Sequence, residues 1–266
     1  MRPKTACASA IVLVLAMAGP YFAVAASDTA APAAAPASGI DPDAMAALDK
    51  MGAELRSHTN FDMKADITNE DVLNDGQKLQ YAGTVEVEAR RPDRFKLSLV
   101  SDLRDREIFY DGKTVTVFSP RLGYYASFDA PPTIAQTLRV ATEKYGVELP
   151  LADLFTWGTD KSLEARVKSA FFVRPEHING QLCNHYAFRQ EKVDWQIWIQ
   201  QNGPALPCKL VITNRVDASA PQYTSEMHWT FPTTIADDTF SFAPPANARK
   251  IVMATLIPSD VKGAKP

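Results

Sequence analysis

Between Tyr81 and Phe128 apolar and polar residues alternate through several short runs, and the breaks between them are turn sequences. Tyr81, Val85 and Val87 alternate with Thr84, Glu86 and Glu88; Phe95, Leu97 and Leu99 alternate with Arg94, Lys96 and Ser98. A period of two places the apolar set on one face of a strand and the polar set on the other. Arg91-Pro92-Asp93-Arg94 and Asp111-Gly112 separate the runs, and Asp-Gly between apolar runs is a strong hairpin signal. Such a chain is confined to a wide antiparallel meander with one greasy face, which something else must cover.

Helical patterns supply that cover. Asp41-Pro42 is an N-cap followed by a first-turn proline, and Met45, Leu48, Met51 and Leu55 recur at helical spacing, predicting a helix over Pro42–Ser57. Ile134, Leu138, Ala141 and Tyr145 share a second helical face, and Gly146 stops that helix. Residues 149–157 form a short apolar segment expected to pack as a helix or lid. Strand character returns over 170–173, 182–189, 195–201, 208–214 and 223–231, the last with Tyr223, Ser225, Met227 and Trp229 on one side. A final strand is expected over 249–254.

The N-terminal pattern is that of an export signal: Arg2 and Lys4, the apolar run 11–18, then small residues at Ala23-Val24-Ala25. That run is too short to span a bilayer comfortably. The expected organisation is a signal peptide over 1–26 cleaved near Ala25 or Ala26, an Ala/Pro-rich disordered linker over 27–40, one domain over 41–256 and a tail over 257–266. The chain carries 28 basic and 31 acidic residues, a formal charge of −3, and loss of Arg2 and Lys4 makes it more acidic. That balance, without a basic run, argues against nucleic acid as a partner. No further segment has membrane-spanning length, so the processed chain is not expected to span a membrane.

Signal removal takes Cys7 and leaves Cys183 and Cys208, an even pair in an oxidising compartment, where a disulfide is expected. Meander geometry opposes it. On first and third strands the Cα atoms stand about 10 Å apart, beyond disulfide reach unless the strand end curls at Pro207.

Signatures of catalysis are missing. His58, His177, His185 and His228 form no zinc-type spacing, and there is neither a Gly-x-Ser-x-Gly elbow nor a phosphate loop. Asp237-Asp238 reads as a loop entering a strand rather than a calcium site. No metal or cofactor is called for, and an enzyme is not expected. Trp195 and Trp198 differ by three and face opposite sides of a strand. One should be buried or line a cavity, the other should be partly exposed and hint at a docking surface.

The order helix, two strands, Arg91-Pro92-Asp93-Arg94-Phe95, then Asp111-Gly112-Lys113-Thr114 and Phe118-Ser119-Pro120 resembles the periplasmic lipoprotein carrier LolA and its relatives. With residues 180–188, 194–199 and 206–213 added, the chain resembles the DUF2092 family of predicted periplasmic proteins within the LolA/LolB-like superfamily, over roughly residues 43–253. The resemblance implies an α+β fold: an open, curved antiparallel half-barrel with helices on its concave face and an apolar cavity between. It implies a periplasmic carrier for a lipid, an acylated protein or another long apolar ligand, with Val85, Val87, Phe95, Leu97, Leu99, Tyr110, Val115, Val117, Leu138 and Trp157 as candidate lining. Against this stands the plainer reading, which any single one of these residues favours, that they form a filled core. Arg91 and Arg94 are entrance candidates for an anionic head group or a carbonyl, against a plain reading as solvated strand-entry charges. The rival from another class is an envelope regulatory or sensory module that binds a protein through the same fold.

Overall fold

Helix α1 spans Pro42–Ser57. Asp41 Oδ1 accepts a hydrogen bond from Asp43 N at 2.9 Å, and Pro42 occupies the first turn, where its missing N–H costs nothing. The structure, a computed structural model, describes residues 39–147, 151, 154, 156–159 and 161–256. The expected signal peptide, most of the Ala/Pro segment, several residues of the 149–157 stretch and the 257–266 tail lie outside those residues. Gly39 and Asp41 pair with β-sheet backbone: Ala170 N donates to Gly39 O, and Asp41 N donates to Ala170 O.

One twelve-stranded sheet carries the fold. Strands β1 (Asn60–Val72), β2 (Lys78–Arg90), β3 (Arg94–Ser101), β4 (Asp105–Tyr110), β5 (Thr114–Ser119) and β6 (Tyr124–Asp129) form one meander. Strands β7 (Ser169–Ile178), β8 (Gln181–Arg189), β9 (Val193–Gln200), β10 (Pro207–Asn214) and β11 (Gln222–Thr230) form another. Pairing of β1 with β11, in the register Ala65↔Met227, fuses the two. The order is β12-β6-β5-β4-β3-β2-β1-β11-β10-β9-β8-β7, antiparallel except at the β12–β6 edge, and it does not close on itself. Between the meanders lie α2 (Ile134–Tyr145) and α3 (Lys161–Ala165). Gly146 ends α2 in the left-handed region, φ 62°, where a side chain is disfavoured, and its N–H closes on Thr142 O.

Packing follows the alternation. The buried stripe of α1 (Ala44, Leu48, Met51, Leu55) joins Ile134, Leu138 and Ala141 of α2 and the inward rows of the sheet in a single apolar cluster. Leu97 faces Ile108 on one side and Val87 on the other, and Val87 faces Met63, so adjacent strands contribute one continuous row. This is the open half-barrel with helices on its inner face that the resemblance implies.

Two expectations fail at the C-terminus. The final strand is only β12, Arg249–Lys250, parallel to β6. After Ile251 N bonds Tyr125 O the backbone leaves the edge, and Leu256 N bonds Lys144 O on α2 instead. Asp237-Asp238 begins a short 3₁₀ turn, Asp237–Phe240, rather than entering a strand, and Asp237 accepts from Arg90.

Cys183 and Cys208 are bonded, with Cα atoms 6.9 Å apart. The flat-meander distance is avoided because Cys208 is the extra residue of a bulge, between Pro207↔Ile199 and Lys209↔Trp198. A bulge bends its strand, and here it swings the start of β10 over the end of β9. Closing a separation of 25 residues restricts the unfolded chain and contributes about 3 kcal/mol. Reduction, or the Cys183→Ala/Cys208→Ala pair, should therefore lower the melting midpoint by roughly 6–12 °C. Identical melting curves with and without reductant would show that the bond does not form.

Candidate functional site

A cavity of about 740 Å³ lies between the sheet and its helical cover. Leu97 of β3 and Ile108 of β4 line it together with Trp195 of β9 and Leu210 of β10. In the sheet order six strand spacings separate β4 from β9, which is about 29 Å if flat. One cavity touches both, so the sheet curls around it. Leu48 and Met51 of α1 close the other side, with Leu151, Leu154, Trp157 and Leu163 from the segment after α2.

Glycine sets how closely that cover packs. A Cβ on Gly52 of α1 would fall 2.7 Å from Trp157 O, so only glycine lets the segment lie on the helix. Arg56 Nη1 donates to the same carbonyl, tying the last turn of α1 to Trp157. Trp157 meets Trp195 edge-on at 6.0 Å, and Trp195 stacks on Phe188 at 4.1 Å, forming an aromatic end wall.

The ten expected lining residues divide. Leu97, Leu99 and Trp157 line the cavity. Val85, Val87, Phe95, Tyr110, Val115 and Leu138 are buried in the packed core, and Val117 is partly buried against it. Tyr110 Oη donates to Pro131 O at 2.6 Å, which anchors the approach to α2.

Neither entrance candidate is at the cavity. Arg91 is half-buried over the Phe61 ring at 5.8 Å and donates to Leu55 O at 3.4 Å. Burial, and then the nearby Arg56 charge, holds its pKa below the ordinary arginine value. Arg94 donates to Asp111 O. Both serve backbone carbonyls at strand and helix ends. The arginines along the cavity are Arg104 and Arg106, accompanied by Asn69 and Asp71. The alternation of β4 (Arg106, Ile108, Tyr110) was the signal that could have found Arg106.

The two tryptophans do face opposite sides, but neither is an exposed docking residue. Trp195 lines the cavity, whereas Trp198 is only 6% exposed on the outer face. His185 stacks on Trp198 at 3.9 Å, Glu176 Oε2 accepts its indole N–H at 2.8 Å, and the Lys209 ammonium lies 5.6 Å from its ring. Together with Cys183, Cys208 and Val211 it makes a small outer core. Burial keeps His185 below its ordinary pKa. Among the described residues no three His, Cys, Asp or Glu side chains are placed to hold a metal ion.

Comparison with known proteins places the chain in a family. The model of a family described as "Predicted periplasmic protein (DUF2092)" matches residues 44–254. No curated protein matches the sequence. Among solved structures, the Mycobacterium tuberculosis lipoprotein LppX is 13% identical, with 74% of this chain and 100% of LppX covered and a TM-score of 0.45. The Pseudomonas aeruginosa MucA/MucB complex is 15% identical, with 79% and 63% covered and a TM-score of 0.42. The LolA superfamily protein NE2245 of Nitrosomonas europaea is 12% identical, with 75% and 97% covered and a TM-score of 0.35.

The wall is hostile to charge. Burial pushes the phenol of Tyr223, a lining residue, up to about 12 from 10. The unfolded chain thus loses this proton near pH 10 while the folded chain keeps it until about 12, so stability is intact below pH 10 and falls as pH rises through that window. The fall from this one group is at most about 1.4 kcal/mol per pH unit. Tyr223→Phe should make the alkaline decline in urea midpoint shallower between pH 10 and 11.5. Parallel declines in the two proteins would show that Tyr223 is not held neutral by the fold.

Proposed function

The chain belongs to the DUF2092 family of predicted periplasmic proteins, and from that premise we propose that it is a periplasmic carrier. It binds a lipid, an acylated protein or another long apolar ligand and does not transform it. Residues 1–26 are then the export signal, 27–40 the tether, with Gly39 and Ile40 docked on β7, 41–256 the binding domain and 257–266 a tail.

The cavity itself carries this reading. Protein interiors pack as densely as organic crystals and leave few voids larger than a water molecule. A space of about 740 Å³ walled by leucine, isoleucine and tryptophan falls instead within the range of ligand sites, about 300–1,000 Å³. Each methylene moved from water into it contributes about 0.8 kcal/mol, so a twelve-carbon chain contributes on the order of 9 kcal/mol before the costs of binding. Among the described residues no helix is long and apolar enough to cross a membrane.

Entry requires the cover to move, and the cover is held with polar groups left over. Among the described residues, Trp157 Nε1 and, on the facing strand, Trp195 Nε1 are buried without acceptors. A buried donor left unpaired costs roughly 1–3 kcal/mol, so lifting the Trp157 segment regains hydration as it exposes apolar wall. The rival reading, a protein-binding module, calls for an exposed tryptophan patch over a filled core; the buried Trp198 and the cavity both weigh against it.

Native mass spectrometry of protein purified from its own periplasm should show bound lipid. Leu97→Glu and Leu99→Glu should each abolish uptake of a fluorescent fatty-acid probe while leaving the melting transition cooperative. Uptake unchanged in both folded variants, with bare protein in the spectrometer, would end the carrier reading.

A further inference from the structure

The inner face changes character along its strands. On β1 the inward series runs Ala65, Ile67, Asn69, Asp71, from buried to exposed. On β4 it runs Tyr110, Ile108, Arg106. Arg104, in the β3–β4 turn, lines the same space as Arg106. The cavity is therefore apolar at depth and charged along one rim.

Arg106 is the unusual member. Register sets it opposite Leu99, one row from the Leu97–Ile108 pair, so a half-buried guanidinium rises from an apolar surface. Several other arginines are occupied: Arg90 donates to Asp237, Arg121 to Asp102 O, Arg189 to Asp194 and Arg215 to Gln190 O. Among the described residues, the side chains of Arg104 and Arg106 have no such partner. The rim acid, Asp71, lies on β1, three strand spacings from β4, or about 14 Å across a flat sheet, and forms no ion pair with either among the described residues.

A guanidinium is a planar fork matched to carboxylate or phosphate oxygens. Two of them beside an apolar channel, with no carboxylate among the described residues to satisfy them, complement an amphiphile rather than a plain hydrocarbon. Resting on the carrier reading, we propose that Arg104 and Arg106 clamp the anionic head group, phosphate or carboxylate, of a lipid whose tail lies along Leu97, Leu99 and Trp195. The charge-averse wall at Tyr223 and the aromatic end wall leave the rim as the place for that charge. The clamp sets orientation: head at the β4 rim, tail toward Trp157.

The test compares three ligands of one chain length, dodecyl phosphate, laurate and dodecanol, titrated below their critical micelle concentrations into the purified full-length protein and followed by tryptophan fluorescence. Trp157 and Trp195 line the cavity and report occupancy. At least one anion should bind roughly tenfold more tightly than dodecanol, the size expected of a charge-assisted contact. Added salt should shrink that advantage. Arg104→Gln/Arg106→Gln should erase it while leaving dodecanol affinity unchanged, and Asp71→Asn, at the same rim, should preserve or increase it. An advantage for phosphate alone or laurate alone supports the clamp and identifies its anion. Dodecanol binding as tightly as both anions, or an anion preference that survives in the double variant, overturns the clamp and leaves the carrier standing. Failure of all three ligands to bind overturns both.

Discussion

A sheet of twelve strands is too wide for its helices. Eleven spacings amount to roughly 53 Å if the sheet is flat, and a helix is only about 10 Å across. Among the described residues, two helices of 16 and 12 residues, a five-residue third and the Trp157 segment shield the apolar face. Burial of that face is the main favourable term in folding, and curling around the helices is the way to achieve it with so little cover. The curl is why β4 and β9, far apart in sheet order, border one space. The cavity is what remains where curl and cover do not quite meet.

Two local contacts keep that space from collapsing onto α1. The absent side chain at Gly52 lets the Trp157 backbone settle against the helix, and Arg56 holds it there through the carbonyl. Trp157, Trp195 and Phe188 then form a stiff wall by ring contact. Flexible side chains could fill the gap by changing rotamer; interlocked indoles cannot do so cheaply. On the outer face, the disulfide and the layer over Trp198 brace β8, β9 and β10, the first two of which carry Phe188 and Trp195 of the aromatic wall.

Much of the fold was legible because it depends on short-range rules. Asp41-Pro42 and the Met45–Leu55 spacing marked α1, Gly146 marked the end of α2, and period-two alternation marked the strands through Phe128. The site was harder. Val85, Val87, Phe95 and Tyr110 look as suitable for a cavity wall as Leu97 and Leu99, since all are apolar and inward-facing. Which of them meet open space depends on where α1 and α2 rest. Arg91 and Arg94 stand out in the sequence beside Pro92, yet they bond backbone carbonyls, whereas Arg106 hides inside an unremarkable strand. One tryptophan of the pair was expected to be partly exposed; Trp198, on the outer face, is covered instead by His185 and Glu176, which come from two other strands.

From its sequence alone the chain determined an antiparallel meander with one apolar face and two helices of a length and polarity fit to cover it. These are properties of neighbouring residues: charge, period and turn chemistry act over a few positions. The curl of the sheet, the bulge that brings Cys208 to Cys183, the hollow under Trp157 and the placing of Arg104 and Arg106 at its rim were decided only by tertiary structure. They depend on residues distant in sequence sharing the same few ångströms, and volume is a property of the assembled surfaces that no single segment encodes.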